Sequence, residues 1–398
     1  MALPRRLLVL SVASVLVVAA CSSDDVDTTG TAPDGSEVTP VTVEQVAESP
    51  EEDGPSALDD MTAAGLPEPL VDPSEIRSGG PPPDGIPPID EPKFLATDEV
   101  DFLDDREPVL ALEIEGEARA YPVQVLIWHE IVNDTVAGVP VAVTYCPLCN
   151  TAIAVDRRVD DRVLSFGTSG SLYQSSLVMY DRQTESLWSH ITTEAIAGVL
   201  TGTELETFLV QTVAWGDWRD ANPDALVLSR DTGANRSYGT NPYPGYDDVG
   251  SSPFAFDGEV DDRLEAKERV VGLSQGETPT AIRLDPLLDD GVIATDLDGE
   301  PIVAWALPGT TSALDSSGIA DGKDVGATGV FRSTLDDQEL TFTRVDDGFV
   351  DDQTESRWDV FGTAVEGALA GQELEPIEHV DTFWFAWAAF EPDTVVVP

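Results

Sequence analysis

Beyond Pro92 the chain alternates apolar and polar residues in short runs. Residues 109–114 and 118–123 flank a Glu115-Gly116-Glu117 turn, the pattern of a hairpin. Residues 139–145, 151–155, 163–166 and 177–180 are rich in β-branched or aromatic side chains and bounded by turn formers, which predicts further strands. Helical spacing is confined to 122–133, 194–200 and 215–221. The predicted class is mostly β, a β-rich α+β arrangement of antiparallel strands forming a barrel or sandwich with a few short helices.

The pattern also repeats itself. Residues 181–188 (DRQTESLW) return as 351–358 (DDQTESRW), and 198–206 (GVLTGTELE) return as 367–375 (GALAGQELE). Trp215 and Trp218 recur as Trp384 and Trp387, and residues 131–147 align without a gap to 292–308. A unit this long is a duplicated domain or half-barrel rather than a solenoid repeat. The boundaries follow: a first repeat over 93–228, a Gly/Pro/Tyr-rich connector over 229–262, and a second, degenerate repeat over 263–398, the two being pseudo-symmetric. Tryptophans shared by both copies predict core packing, and the DRQTESLW turn reads as structural.

The N-terminal part is of another kind. Arg5 and Arg6 precede an apolar run that ends in Val18-Ala19-Ala20-Cys21, the shape of a lipoprotein signal peptide over 1–20 with Cys21 as the lipidated residue. Residues 21–92, poor in large apolar side chains and rich in Asp, Glu, Pro, Gly and Ser, predict a disordered acidic tether. No later stretch is long and apolar enough to span a bilayer, so the expected location is extracytoplasmic, held to the membrane by the N-terminal lipid alone.

Comparison of the copies isolates candidate chemistry. His129 aligns with Asp290, Cys146 with Leu307 and Cys149 with Thr310, so these groups are lost together in the second copy. The first copy is also longer after Phe166, and that extension (GTSGSLYQSSLVMY) predicts a loop over the same site. Cys146-Pro147-Leu148-Cys149 places two thiols at the end of an apolar strand, where a tight turn brings both sulfurs to one side and suits a soft metal. The predicted ligand set is Cys146, Cys149 and His129, with Met179 and His190 as residues that could complete it, for a copper ion ahead of zinc. Glu130 and Tyr145 are the expected supporting residues, Glu130 orienting the imidazole or acting as a base. Two other readings stay open: thiol-disulfide oxidoreductase chemistry on the same cysteines, or a structural disulfide in an interaction module.

At residues 128–152 and 166–190 the sequence resembles a family of exported bacterial and archaeal proteins, the domain of unknown function 3179, over nearly everything from about Phe94 onward. The Tyr-Cys-Pro-Leu-Cys motif of that family is intact as Tyr145 to Cys149. The resemblance implies no activity and no cofactor.

The charge balance is extreme, with 75 acidic against 21 basic residues and a formal net charge of -54. Such a surface repels nucleic acid and anionic headgroups, which removes them as partners. It also repels itself, and added salt screens that repulsion. The thermal midpoint of the protein is therefore expected to rise as sodium chloride is added; scanning calorimetry at several salt concentrations checks this, and a flat or falling midpoint contradicts it.

Overall fold

The computed structural model describes residues 55–276 and 278–398. The expected signal peptide, the lipidated Cys21 and the tether up to residue 54 lie outside the described residues. Among them no helix is long and apolar enough to cross a membrane.

The first half runs through β1 (Pro108–Ile114), β2 (Glu117–Pro122), α1 (Val123–Leu126), β3 (Ile131–Val136), β4 (Val139–Cys146) and β5 (Thr151–Asp156). It continues with β6 (Phe166–Tyr173), β7 (Ser176–Asp181), β8 (Leu187–Ser189), β9 (Ala195–Ala197), β10 (Val210–Ala214), α2 (Trp215–Ala221) and β11 (Leu226–Leu228). The second half follows with β12 (Arg269–Leu273), β13 (Thr280–Arg283), α3 (Leu284–Asp290), β14 (Val292–Leu297), β15 (Glu300–Leu307) and β16 (Ala327–Arg332). Its last elements are β17 (Phe342–Val345), β18 (Gly348–Asp351), β19 (Arg357–Trp358), β20 (Ala364–Glu366), β21 (Val380–Phe383), α4 (Trp384–Phe390) and β22 (Val395–Val397).

Strand pairing follows the duplicated order. β10-β1-β2-β11 in one half corresponds to β21-β12-β13-β22 in the other, β5-β4-β3 to β16-β15-β14, and β6-β7-β8-β9 to β17-β18-β19-β20. The same two positions are parallel, β11 against β2 and β22 against β13. The mostly β class holds, built from several small sheets.

Local interactions recur with the sequence. Asp181 accepts hydrogen bonds from Thr184 N, Thr184 Oγ1 and Trp188 Nε1 at 2.6, 2.8 and 3.0 Å. Asp351 accepts the equivalent bonds from Thr354 and Trp358, the indole again at 3.0 Å. Each buried carboxylate thus serves as a hub that closes a turn and orients a core indole. All six shared tryptophans, Trp188, Trp215, Trp218, Trp358, Trp384 and Trp387, are buried, as expected of core residues.

Several expectations need correction. Residues 122–133 form only the single turn α1, because Glu130 adopts a left-handed φ of 60° and Ile131-Val132 then pair with β4. Residues 194–200 are not helical: Ala195, Ile196 and Ala197 are all buried and form β9 against β8. The tether does not extend to Pro92 as a disordered chain. Ala57 and Met61 are buried with Val178, Tyr180, Leu187 and Ile196, the strand Ile76–Ser78 pairs with β6, and Ile89 bonds to β3 on its outer edge. A few well-spaced apolar residues suffice because they land on an apolar sheet face that is already formed. The first-copy extension is a hairpin, β6 and β7 joined at Gln174-Ser175, rather than a loop.

The halves are not independent. The described residues belong to one compact unit, and the main core mixes Cys146, Cys149 and Trp188 with Leu314, Phe383 and Phe385 from the second half. The carbonyl of Cys149 accepts from Phe383 N at 3.0 Å and Thr382 Oγ1 at 3.1 Å, so β21 holds the cysteine turn from outside.

Asp181→Ala would leave the Trp188 indole and the Thr184 donors without an acceptor in a dry interior. We expect a loss of about 2–4 kcal/mol in urea unfolding, and a comparable loss for Asp351→Ala; two changes both below 1 kcal/mol would refute the hub role.

Candidate metal centre

Cys146 closes β4, and residues 147–150 turn the chain into β5, where Thr151 pairs back with Cys146. Pro147 stiffens that turn, and Asn150 takes a left-handed φ of 56°, a conformation Asn tolerates better than most residues. Tyr145 Oη donates to Asn150 Oδ1 at 3.1 Å, tying the two ends together. His190 follows β8 directly, its backbone N–H donating to Leu177 O at 3.1 Å. One ring nitrogen of His190 and the sulfurs of Cys146 and Cys149 lie within 4.8 Å of one another, and all three residues are buried. Both thiols are free.

The tautomer of His190 follows from hydrogen-bond counting. Thr144 Oγ1 lies 2.8 Å from Ile153 O and 2.8 Å from His190 Nε2. The threonine has one hydroxyl proton, and only the carbonyl must receive it, so His190 Nε2–H donates to Thr144. The lone pair is left on Nδ1, which is buried and has no hydrogen-bond partner among the described residues. An orphaned acceptor of this kind is a donor atom for a metal that sits beside two thiols.

Electrostatics separate the thiols. Burial opposes ionisation of Cys149, but the polar groups of Cys146, Thr151 and Ser176 around it outweigh burial and hold this thiol below its ordinary range. Burial and the adjoining Cys149 push the Cys146 thiol well above its own. Burial also depresses His190, against the pull of Cys146, which keeps the imidazole neutral and able to coordinate. Ser176 lies at the start of β7, so the first-copy hairpin does reach the site.

His129, expected as a ligand, is outside this group. Its Nδ1–H donates to Pro87 O at 2.6 Å, and its Nε2 accepts from Tyr238 Oη at 2.6 Å, so both nitrogens are committed elsewhere. The left-handed turn at Glu130 sends the two neighbouring side chains apart, the imidazole toward Pro87 and the carboxyl toward Cys146. Glu130 therefore does not orient His129. Met179 is buried in the same core, across from Trp188 and Thr168. The connector contributes what sequence reading missed: Tyr243 and Tyr246 lie near Cys146, and Tyr243 also near Glu130.

The duplication carries two further signals for His190 and Glu130. His190 aligns with Val360, so it vanishes from the second copy together with the cysteines. Glu130 aligns with Gly291, which has a φ of 83°. Where one copy uses glycine for a left-handed turn, the other keeps glutamate at a strain of about 1–3 kcal/mol.

Fold and site together define a mostly β protein with a buried cluster of two thiols and one imidazole. The chain belongs to the family described as protein of unknown function (DUF3179), whose model matches residues 83–394. Neither the curated proteins nor the solved structures include a match.

The Glu130 carboxyl is pushed up to about 8 from 4.5, first by burial and then by Cys146. The folded form keeps a proton that the unfolded chain has released, so this contribution to stability is complete below 4.5 and is lost as the pH rises to about 8. The depressed imidazoles of His129 and His190 act in the opposite sense, losing stability as the pH falls below 6.5. Between about pH 6.5 and 8, Glu130→Gln should therefore flatten a decline in the urea midpoint of the metal-free protein; identical pH profiles for the variant and the parent would contradict the buried, protonated carboxyl.

Proposed function

We propose that this protein binds a soft transition-metal ion through Cys146, Cys149 and His190, copper(I) ahead of zinc, and serves metal handling or a metal-dependent redox step. It would do so outside the cytoplasm, tethered by a lipid on Cys21. The observation that carries the reading is the unpartnered, buried Nδ1 of His190 in a group with two free thiols. A buried acceptor without a partner costs about 1–3 kcal/mol, which a coordinated ion removes. Three donors of this softness suit copper(I), whereas zinc prefers a fourth ligand. The nearby carboxyl, Glu130, is held protonated and supplies none readily.

A dithiol-disulfide carrier is the second reading, favoured by the split in acidity between Cys149 and Cys146. Such a split makes Cys149 the attacking thiolate.

Protein purified without oxygen and titrated with copper(I) against a chromophoric chelator should take up one equivalent. Cys146→Ser, Cys149→Ser and His190→Ala should each weaken binding by at least about tenfold, while His129→Ala should leave it unchanged. Binding that survives His190→Ala intact would defeat this ligand set, and a reducible disulfide with no metal uptake would move the case to the second reading.

A further inference from the structure

The two halves diverge at a second place, far simpler in its chemistry. In the first half Arg157 is buried and spreads its guanidinium over three backbone carbonyls: Nε to Val141 O at 3.0 Å, Nη1 to Leu164 O at 2.6 Å and Nη2 to Asp134 O at 2.9 Å. One cation thereby ties together β3, β4 and the segment leading into β6. Its planar fork of donors suits three fixed acceptors.

The second half has the same backbone without the arginine. Arg157 N donates to Pro140 O and Leu164 N to Arg157 O at 3.0 and 2.8 Å; Ser333 N donates to Pro301 O and Leu340 N to Ser333 O at 3.1 and 2.7 Å. Ser333 thus stands where Arg157 does, and Thr295, Ile302 and Leu340 stand where Asp134, Val141 and Leu164 do. Among the described residues no side chain donates to the carbonyls of these three. A groove of about 540 Å³ lies there instead, lined by Thr295, Ile302, Ser333 and Leu340, with Asp296 and Glu339 at its exposed rim. The first half carries Thr135 and Val163 at the rim positions. Loss of the internal cation therefore coincides with gain of two acidic groups at the entrance.

We propose that this groove is a receptor for an arginine side chain presented by an extended segment of a partner polypeptide. The floor offers the three-carbonyl cradle that Arg157 demonstrates within the same chain, and the rim supplies complementary charge. The groove is larger than one guanidinium group needs, leaving room for neighbouring residues of the partner. This inference is independent of the metal centre and stands or falls without it.

The test uses the full chain in about 0.5 M salt, where attraction to the acidic surface at large is screened. Two short threonine-valine peptides, one with a central arginine and one with a central lysine, and the free derivative acetyl-arginine methylamide are titrated by calorimetry. The arginine peptide should bind at least tenfold more tightly than either of the others. Ser333→Arg should fill the cradle from within, abolish binding and raise the thermal midpoint. Glu339→Lys, at the exposed rim, should weaken binding severalfold and serves where the arginine variant does not fold. Equal binding of the lysine peptide would overturn the cradle, and equal binding of the free derivative would overturn a polypeptide partner. Binding undiminished in both variants would place the ligand elsewhere and overturn the site.

Discussion

The Thr144 hydroxyl, set between the Ile153 carbonyl and the His190 ring, is the interaction on which the chemistry of this molecule turns. Because its single proton is spent on the carbonyl, the imidazole must donate through Nε2, and the lone pair on Nδ1 is left inside the protein beside two sulfurs. With the opposite tautomer that atom would carry a hydrogen, and the cluster would offer two candidate donors instead of three. The constraint is rigid because Thr144 and Ile153 face each other across β4 and β5, the strands that also carry Cys146 to the turn. The placement of Cys146 and the tautomer of His190 are thus set by one hairpin.

Duplication explains how such a site is accommodated. Each half is organised by the same buried aspartate, which closes a turn and holds an indole, so one copy can keep the fold while the other carries unfavourable groups. The first copy carries a glutamate in a left-handed turn that its counterpart gives to glycine, its carboxyl buried and held protonated, and an imidazole whose buried acceptor has no partner among the described residues. The second copy is no bystander, since Phe383 and Thr382 pin the carbonyl of Cys149. The connector adds another layer, its Asp247 held by Arg269, Lys323 and Ser312 while Tyr243 and Tyr246 lie near the cysteines.

Charge is treated differently inside and outside. The surface accumulates carboxylates with few partners of opposite sign, whereas buried charges are met individually: Arg157 by three carbonyls, Lys267 by the Tyr246 carbonyl, the Ser251 hydroxyl and the Tyr246 ring. Desolvation makes unpaired interior charge costly, while a surface excess is spread over water and counterions.

Much of this was legible in the linear chain. Alternating apolar runs specify strands, the repeated DRQTESLW turn and the paired tryptophans specify a duplicated core, and the Cys-x-x-Cys spacing places two sulfurs on one turn, because each of these is decided by neighbours a few residues apart. Which imidazole joins the two sulfurs was not legible in that way. His129 lies nearer to the cysteines in sequence, yet a left-handed residue beside it turns its ring toward Pro87 and Tyr238. His190, directly after β8, reaches Thr144 of β4 across 46 positions through the pairing of β7 with β8. Residues 55–92 were misread for the same reason, their apolar groups being too sparse to form a core yet enough to cover one already built. Periodicity and turn chemistry are local and can be read from the chain, but which imidazole meets which thiol, and which loose segment finds a face to cover, is decided only when distant strands come together.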